Sequence, residues 1–177
     1  MKTSVAQGWP GGVYDVLVRQ NIRQVAYVPD AGHSDLIERC SADPAMKTTV
    51  LTTEEEGVAL LAGAWLGGDR GILLMQSSGV GNCVNMLSLI ENCRMPFVTL
   101  ITMRGEWGEF NPWQAPMGLA TPDVLSRMNV QVHRVDVATD AAPTLDAAIS
   151  QSYDGLLSSA VLLSQRLIGR KDFEAEG

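Results

Sequence analysis

TEEEGVALLAGAWLGGDRGILLMQSSGVGN, residues 53–82, decides how this chain folds. Three acids open an apolar run in which Val58, Leu61, Ala62 and Trp65 recur at i, i+3, i+4 and i+7, the spacing of one helix face. The spacing predicts a helix over Glu54–Leu66, stopped by Gly67-Gly68. Gly71–Gln76 is then continuously apolar and short, as a buried strand is, and the Gly-rich run Gln76–Asn82 leads into a helix over Val80–Ile90. The stretch holds no metal-ligand cluster and no nucleophile–base pair. A carboxylate at a helix start, beside a loop of small residues, suits a chain that holds a polar heteroaromatic cofactor at a seam and leaves the chemistry to it.

Outward from this stretch the alternation continues. Upstream, the pattern predicts a helix over Val13–Asn21, a strand over Arg23–Pro29, a helix over Ser34–Cys40 with Ser34 as N-cap, and a β-branched strand over Thr48–Thr53. Downstream come a strand over Pro96–Met103, a long loop over 104–120, and a helix over Thr121–Met128 with Thr121 as N-cap and Pro122 in its first turn. A strand over Val130–Val135, helix through most of Asp136–Leu157 and a strand over Ala160–Leu163 complete the pattern. Most strands are apolar on both faces. The expectation is an α/β fold: three layers, doubly wound, a mostly parallel six-stranded sheet with helices on both faces. Residues 1–170 are read as a single domain and 171–177 as a polar tail. Ligands of such sheets sit at the carboxyl ends of the strands, which selects Pro29–His33, Thr53–Glu56, Gln76–Asn82 and Arg104–Gly118.

Composition narrows the function classes. The 177 residues carry a formal charge of −7, which argues against a nucleic-acid partner and against an anionic membrane surface. Cys40, Cys83 and Cys93 form neither a disulfide framework nor a zinc pattern, and reduced thiols fit the cytoplasm. MKTSVAQGWPGG lacks the apolar core of a signal peptide, and no run reaches the roughly 18 apolar residues of a membrane span.

Four segments carry a resemblance: VPD at 28–30, TEEEGVALLAGAWL at 53–66, LMQSSGVGN at 74–82, and MRGEWGEF with QAPMG within 103–118. Over nearly its whole length the chain resembles the pyrimidine-binding domain of thiamine diphosphate enzymes. It is most similar there to the alpha subunit of sulfopyruvate decarboxylase and the amino-terminal part of phosphonopyruvate decarboxylase. The resemblance implies a Glu in contact with N1′ of the cofactor pyrimidine, followed nine positions later by a Gly in the same helix. Counting back nine from Gly63 reaches Glu54, whereas the Glu-Gly dipeptide would give Glu56. Glu54 is the preferred assignment, at the end of a strand and the start of a helix; the alternative is that all three acids only complement the helix dipole. A carboxyl bound to N1′ favours the imino form at the 4′ position, and the cofactor then carries the loss of carbon dioxide from a 2-keto acid.

The same resemblance places Gln76, Ser77 and Gly79 at the cofactor, and Pro29, His33, Gln76, Arg104 and Gln114 at the substrate. Each has a plainer reading. Gly79 and Gly81 permit tight packing. His33 stands near Ala31, where several such decarboxylases place an acid or hydroxyl, and a loop His is commonly just solvated; His133 reads as structural. Arg104 either clamps an anionic substrate tail or pairs with Glu106 or Glu109. Trp107, Phe110 and Trp113 cover the pocket or pack on a partner.

One half of the expected site is missing. The diphosphate and its Mg2+ are held elsewhere in the family by a GDG followed downstream by Asn; here only GGDRG at 67–71 stands, in a turn. The resemblance therefore implies no metal ligand on this chain, a beta subunit that binds diphosphate and Mg2+, and thiamine diphosphate shared between them. The assembly would be a hetero-oligomer of two alpha and two beta chains or more, inactive as the alpha chain alone. Two rival readings stand: a carboligase or lyase subunit using the same cofactor, and a non-catalytic flavodoxin-like module holding a phosphate ligand with Ser77–Asn82.

Overall fold

A computed structural model describes residues 8–169. Its elements in chain order are α1 (Trp9–Arg19), β1 (Ile22–Tyr27), α2 (Ser34–Ala42), β2 (Lys47–Val50), α3 (Glu54–Leu66), β3 (Arg70–Gln76), α4 (Ser77–Cys83), α5 (Leu87–Cys93), β4 (Phe97–Thr102), α6 (Ala115–Arg127), β5 (Gln131–Val135), α7 (Ala138–Gly155), β6 (Ser158–Leu163) and α8 (Gln165–Ile168). Short 3-10 turns sit at Ala31–His33 and Pro112–Gln114. The six strands form one sheet in the order β2-β1-β3-β4-β6-β5, and every pairing is parallel. Alternate strand residues feed opposite faces. Ile72 and Leu74 join the core beneath α1, α2 and α7 with Val16, Leu36 and Leu145. Leu73 and Met75 join the core beneath α3 to α6 with Val58, Val80, Ile90 and Leu125. The three layers read from the sequence are present.

Three expectations are corrected. The helix over Val80–Ile90 is two helices: α4 starts at Ser77 directly after β3, and 3-10-type bonds from Ser88 N to Asn85 O and Leu89 N to Met86 O separate it from α5. Val80, Cys83, Leu87 and Ile90 all remain buried on one side, so the apolar spacing runs through the break without registering it.

The long loop ends early, because α6 begins at Ala115. Thr121 is inside that helix rather than its cap. Fully buried, its hydroxyl donates to Met117 O at 2.7 Å and to Ser77 O at 3.3 Å, tying α6 to the start of α4. Pro122 lies mid-helix, giving up the backbone bond to Gly118. Finally, α2 starts at Ser34 with His33 in the cap position, and the Ser34 hydroxyl donates back to Ala31 O. The polar tail at 171–177 lies outside the described residues.

Candidate functional site

β2 lies on one side of β1 and β3 on the other, so the chain reverses direction across the sheet between β1 and β3. Loops leaving those strands diverge and open a crevice. Asp30 sits there, at the end of the segment after β1. Its Oδ2 accepts from Thr102 Oγ1 at 2.6 Å and its Oδ1 from Gln76 Nε2 at 3.1 Å, so one carboxylate joins the ends of β1, β3 and β4. Gln76 Oε1 in turn accepts from Ser78 Oγ at 3.0 Å. Both ends of the Gln76 amide are thus held. Pro29 is exposed on the rim of a cleft of about 470 Å³ that Asp30, Ser34 and Ile37 also line.

His33 is not a solvated loop residue. It is 1% exposed, set edge-on to Trp9 at 6.3 Å, with Nδ1 3.6 Å from Asp30 Oδ2 and neither ring nitrogen hydrogen-bonded among the described residues. Burial pushes its pKa down to about 4, with Asp30 acting weakly the other way, so the ring is neutral at pH 7.

The three acids of α3 separate by function in the helix. Glu56 is exposed and accepts from Thr52 N at 2.9 Å, closing the helix start. Glu55 accepts from the Thr53 hydroxyl, which holds its carboxyl below the usual carboxylate range. Glu54 alone points into the seam between α3 and α4. It is 8% exposed, and Asn82 Nδ2 donates to its Oε2 at 2.7 Å. A Cβ on residue 79 would fall 2.5 Å from both Cδ and Oε1 of Glu54, so only glycine at that position leaves the carboxyl its place. Oε1 has no hydrogen-bond partner among the described residues.

Ser77 and Arg104 join the ends of β3 and β4. The fully buried Ser77 Oγ accepts from Arg104 N at 3.1 Å. The Arg104 guanidinium is also buried and is gripped by Glu109 through two bonds of 2.6 Å. That grip holds the Glu109 carboxyl down to about 2, against the opposing effect of burial. Glu109 also accepts from Asn111 N and Gln165 Nε2. Of the pairings open in the sequence, Arg104 takes Glu109, and Glu106 pairs bidentately with Arg134. An anionic substrate would reach the Arg104 fork only by displacing Glu109. Gln114 is half-buried, and its Oε1 has no hydrogen-bond partner. Trp107 lies under Arg166 and Phe110 under Arg104. Trp113 is 84% exposed, beside an apolar cleft of about 680 Å³ lined by Pro112, Pro116, Met117 and Ala120.

The structure therefore brings Glu54 together with Gly79, and Gln76 with the segment holding Pro29 and His33. The Ser77 hydroxyl meets Arg104 only at the Arg104 backbone. Asp30, Thr102, Asn82 and Gln165 were not singled out in the sequence, and Glu109 only as a pairing partner for Arg104. Asp30 had a signal, an acid directly after VP at a strand end, and Asn82 stands one turn from Gly79. Glu109 and Gln165 lie 56 apart in sequence, and no local pattern links them. Among the described residues no group of three or more His, Cys, Asp or Glu could hold a metal ion.

The fold and the crevice define the class first. The chain superposes on 2-oxoglutarate:ferredoxin oxidoreductase from Magnetococcus marinus with a TM-score of 0.71 at 11% identity, covering 96% of this chain and 32% of that one. A structure described as a thiamin diphosphate-dependent enzyme from Mycobacterium smegmatis gives 0.70 at 15% identity, covering 89% and 30%. At such identities the likeness establishes the α/β fold of thiamine diphosphate-dependent enzymes.

Sequence relatives are more particular. The chain is 30% identical over 152 residues to sulfopyruvate decarboxylase subunit alpha of Methanococcus maripaludis, covering 85% of this chain and 91% of that one. It is 30% identical over 142 residues to the subunit of the same name from Methanocaldococcus jannaschii, covering 80% and 84%. It therefore belongs to the sulfopyruvate decarboxylase alpha-subunit family. To phosphonopyruvate decarboxylase of Streptomyces viridochromogenes it is 38% identical over 133 residues, which is 74% of this chain but only 34% of that protein. The chain thus spans about a third of that relative's length. No family profile matches the chain.

Proposed function

We propose that this chain is the alpha subunit of a thiamine diphosphate-dependent decarboxylase of a small 2-keto acid resembling sulfopyruvate or phosphonopyruvate. The observation that carries the reading is Glu54: a mostly buried carboxyl at the α3–α4 seam, held through one oxygen with the other unpartnered. Those residues fit an aminopyrimidine. Gly79 removes the Cβ that would displace the carboxyl, and Oε1 can receive or return a proton at N1′. When bound, thiamine diphosphate supplies the electron sink for loss of carbon dioxide. The chain's own residues orient it: Glu54 holds the proton, while Gln76 and Asp30, tied to each other, form the polar wall beside it. The diphosphate and Mg2+ belong to a beta subunit, consistent with relatives named as alpha subunits and with a phosphonopyruvate decarboxylase about three times as long as the segment it matches.

Mixing the chain with its beta subunit, thiamine diphosphate and Mg2+ should release carbon dioxide from sulfopyruvate or phosphonopyruvate. Absence of turnover on any 2-keto acid sinks the reading. If the product is instead a carbon–carbon ligation product, the chain is a carboligase subunit. The phosphate-module reading draws less support from the geometry, because Ser77–Cys83 is a short helix rather than an open cradling loop. Stabilisation of the isolated chain by a nucleotide in a thermal-shift panel would revive it.

A further inference from the structure

We propose that Asn82 is the positioning residue for Glu54: its amide fixes the carboxyl so that Oε1 alone faces the aminopyrimidine. The inference rests on the cofactor reading above. A glutamate side chain has three torsions, and an unheld carboxyl at a seam samples several of them. Here two groups on α4, one turn apart, restrict it. Gly79 forms the floor, against which Cδ and Oε1 rest, and Asn82 Nδ2 donates to Oε2 at 2.7 Å, a short charge-assisted bond. Asn82 is itself exposed, so core packing does not require it, and asparagine is a weak helix former. Among the described residues its side chain makes a single hydrogen bond, the grip on Glu54, 28 residues away. Through that grip Oε2 is taken and the cofactor meets a carboxyl already oriented, with less freedom to lose on binding.

The test uses the complete complex of this chain with its beta subunit and compares Asn82→Leu, which keeps the branched outline and removes the donor, with wild type. The expected kcat loss is about 10- to 100-fold, the scale of a lost hydrogen bond to a charged group, with the keto acid KM nearly unchanged. The half-saturating thiamine diphosphate concentration should rise. Near-UV circular dichroism of the bound cofactor, which reports the aminopyrimidine tautomer without turnover, should shift as it does in Glu54→Gln. Asn82→Gln, which keeps a donor, should recover part of the loss. The double variant should be no slower than Glu54→Gln alone, because Asn82 acts only through Glu54. Additive losses overturn the inference, as do a wild-type cofactor saturation curve and spectrum in Asn82→Leu. A wild-type complex that binds cofactor but decarboxylates nothing refutes the decarboxylase reading, and the spectra still decide the role of Asn82. A wild-type complex that binds no cofactor overturns both.

Discussion

At the scale of single residues, the surroundings of each acid and base near the crevice set what a substitution does. Glu54→Gln keeps shape and the contact with Gly79 but loses the ionisable group. Turnover of the complex should fall roughly 100-fold or more, as for a lost acid–base group, with assembly intact. Wild-type rates in Glu54→Gln beside a dead Glu56→Gln would move the assignment to Glu56. Arg104 is gripped by Glu109 through Nε and one terminal nitrogen, so Arg104→Lys breaks a buried fork that Lys cannot rebuild. Its melting temperature should drop, and kcat/KM should fall alike for charged and neutral keto acids. A loss confined to the anionic substrate would show that Arg104 leaves Glu109 to bind it. His33 gives a pH signature. Buried, it binds a proton only near pH 4, while the unfolded chain binds one from about 6.5. Between those values the unfolded state holds more protons, so stability is full above about 6.5 and declines as pH falls toward 4. Urea denaturation across that window should show the slope, and His33→Phe should flatten it. The lowered Glu109 carboxyl acts in a lower window, losing its contribution between about 4.5 and 2.

At the scale of elements, α4 and α6 form the frame around the crevice. α4 carries Gly79 and Asn82 against Glu54, and α6 presses on the ends of β3 and β4. The second contact is very close: a Cβ on residue 118 would fall 1.9 Å from Arg104 O, which is backbone and cannot swing away. Gly118→Ala should therefore destabilise the chain by about 3 kcal/mol or more, the upper range for overpacking, read as a lower urea midpoint. Gly63→Ala is the control, since nothing lies within 4 Å of its added Cβ, and helix propensity should make the isolated chain slightly more stable. A Gly118→Ala midpoint equal to wild type would mean that α6 can slide, and the β4–α6 connection would then be adaptable.

At the scale of the whole molecule, the proposed site has one wall on this chain. Glu54, Gln76 and Asp30 line the carboxyl edge of the sheet, and no metal-binding cluster accompanies them among the described residues. The isolated chain should thus show no decarboxylation with thiamine diphosphate and Mg2+, and activity should appear on titration with the beta subunit and saturate at a fixed ratio. Activity from the chain alone would place the whole site within it. No helix among the described residues is long and apolar enough to cross a membrane.

The sequence by itself determined the layers of this fold. Period-two and period-3.6 patterns, Gly67-Gly68 and the continuously apolar β3 and β4 are local signals, and they sufficed for six strands, most helices and the strand ends where chemistry collects. It also pointed to Glu54, through the nine-residue spacing to Gly63 that the resemblance implies and through its place at a helix start after a strand. Tertiary structure alone decided what those residues touch. Thr121 reads as a helix cap until α6 starts at Ala115 and packs its hydroxyl against Ser77 O at the start of α4. His33 reads as solvated until Trp9 covers it. Arg104 reads equally well toward Glu106 or Glu109, and the choice falls to Gln165, delivered by the last strand to order the intervening loop. Spacing along a chain encodes which face a residue takes, whereas partners far apart in sequence meet only when the sheet brings its strand ends together.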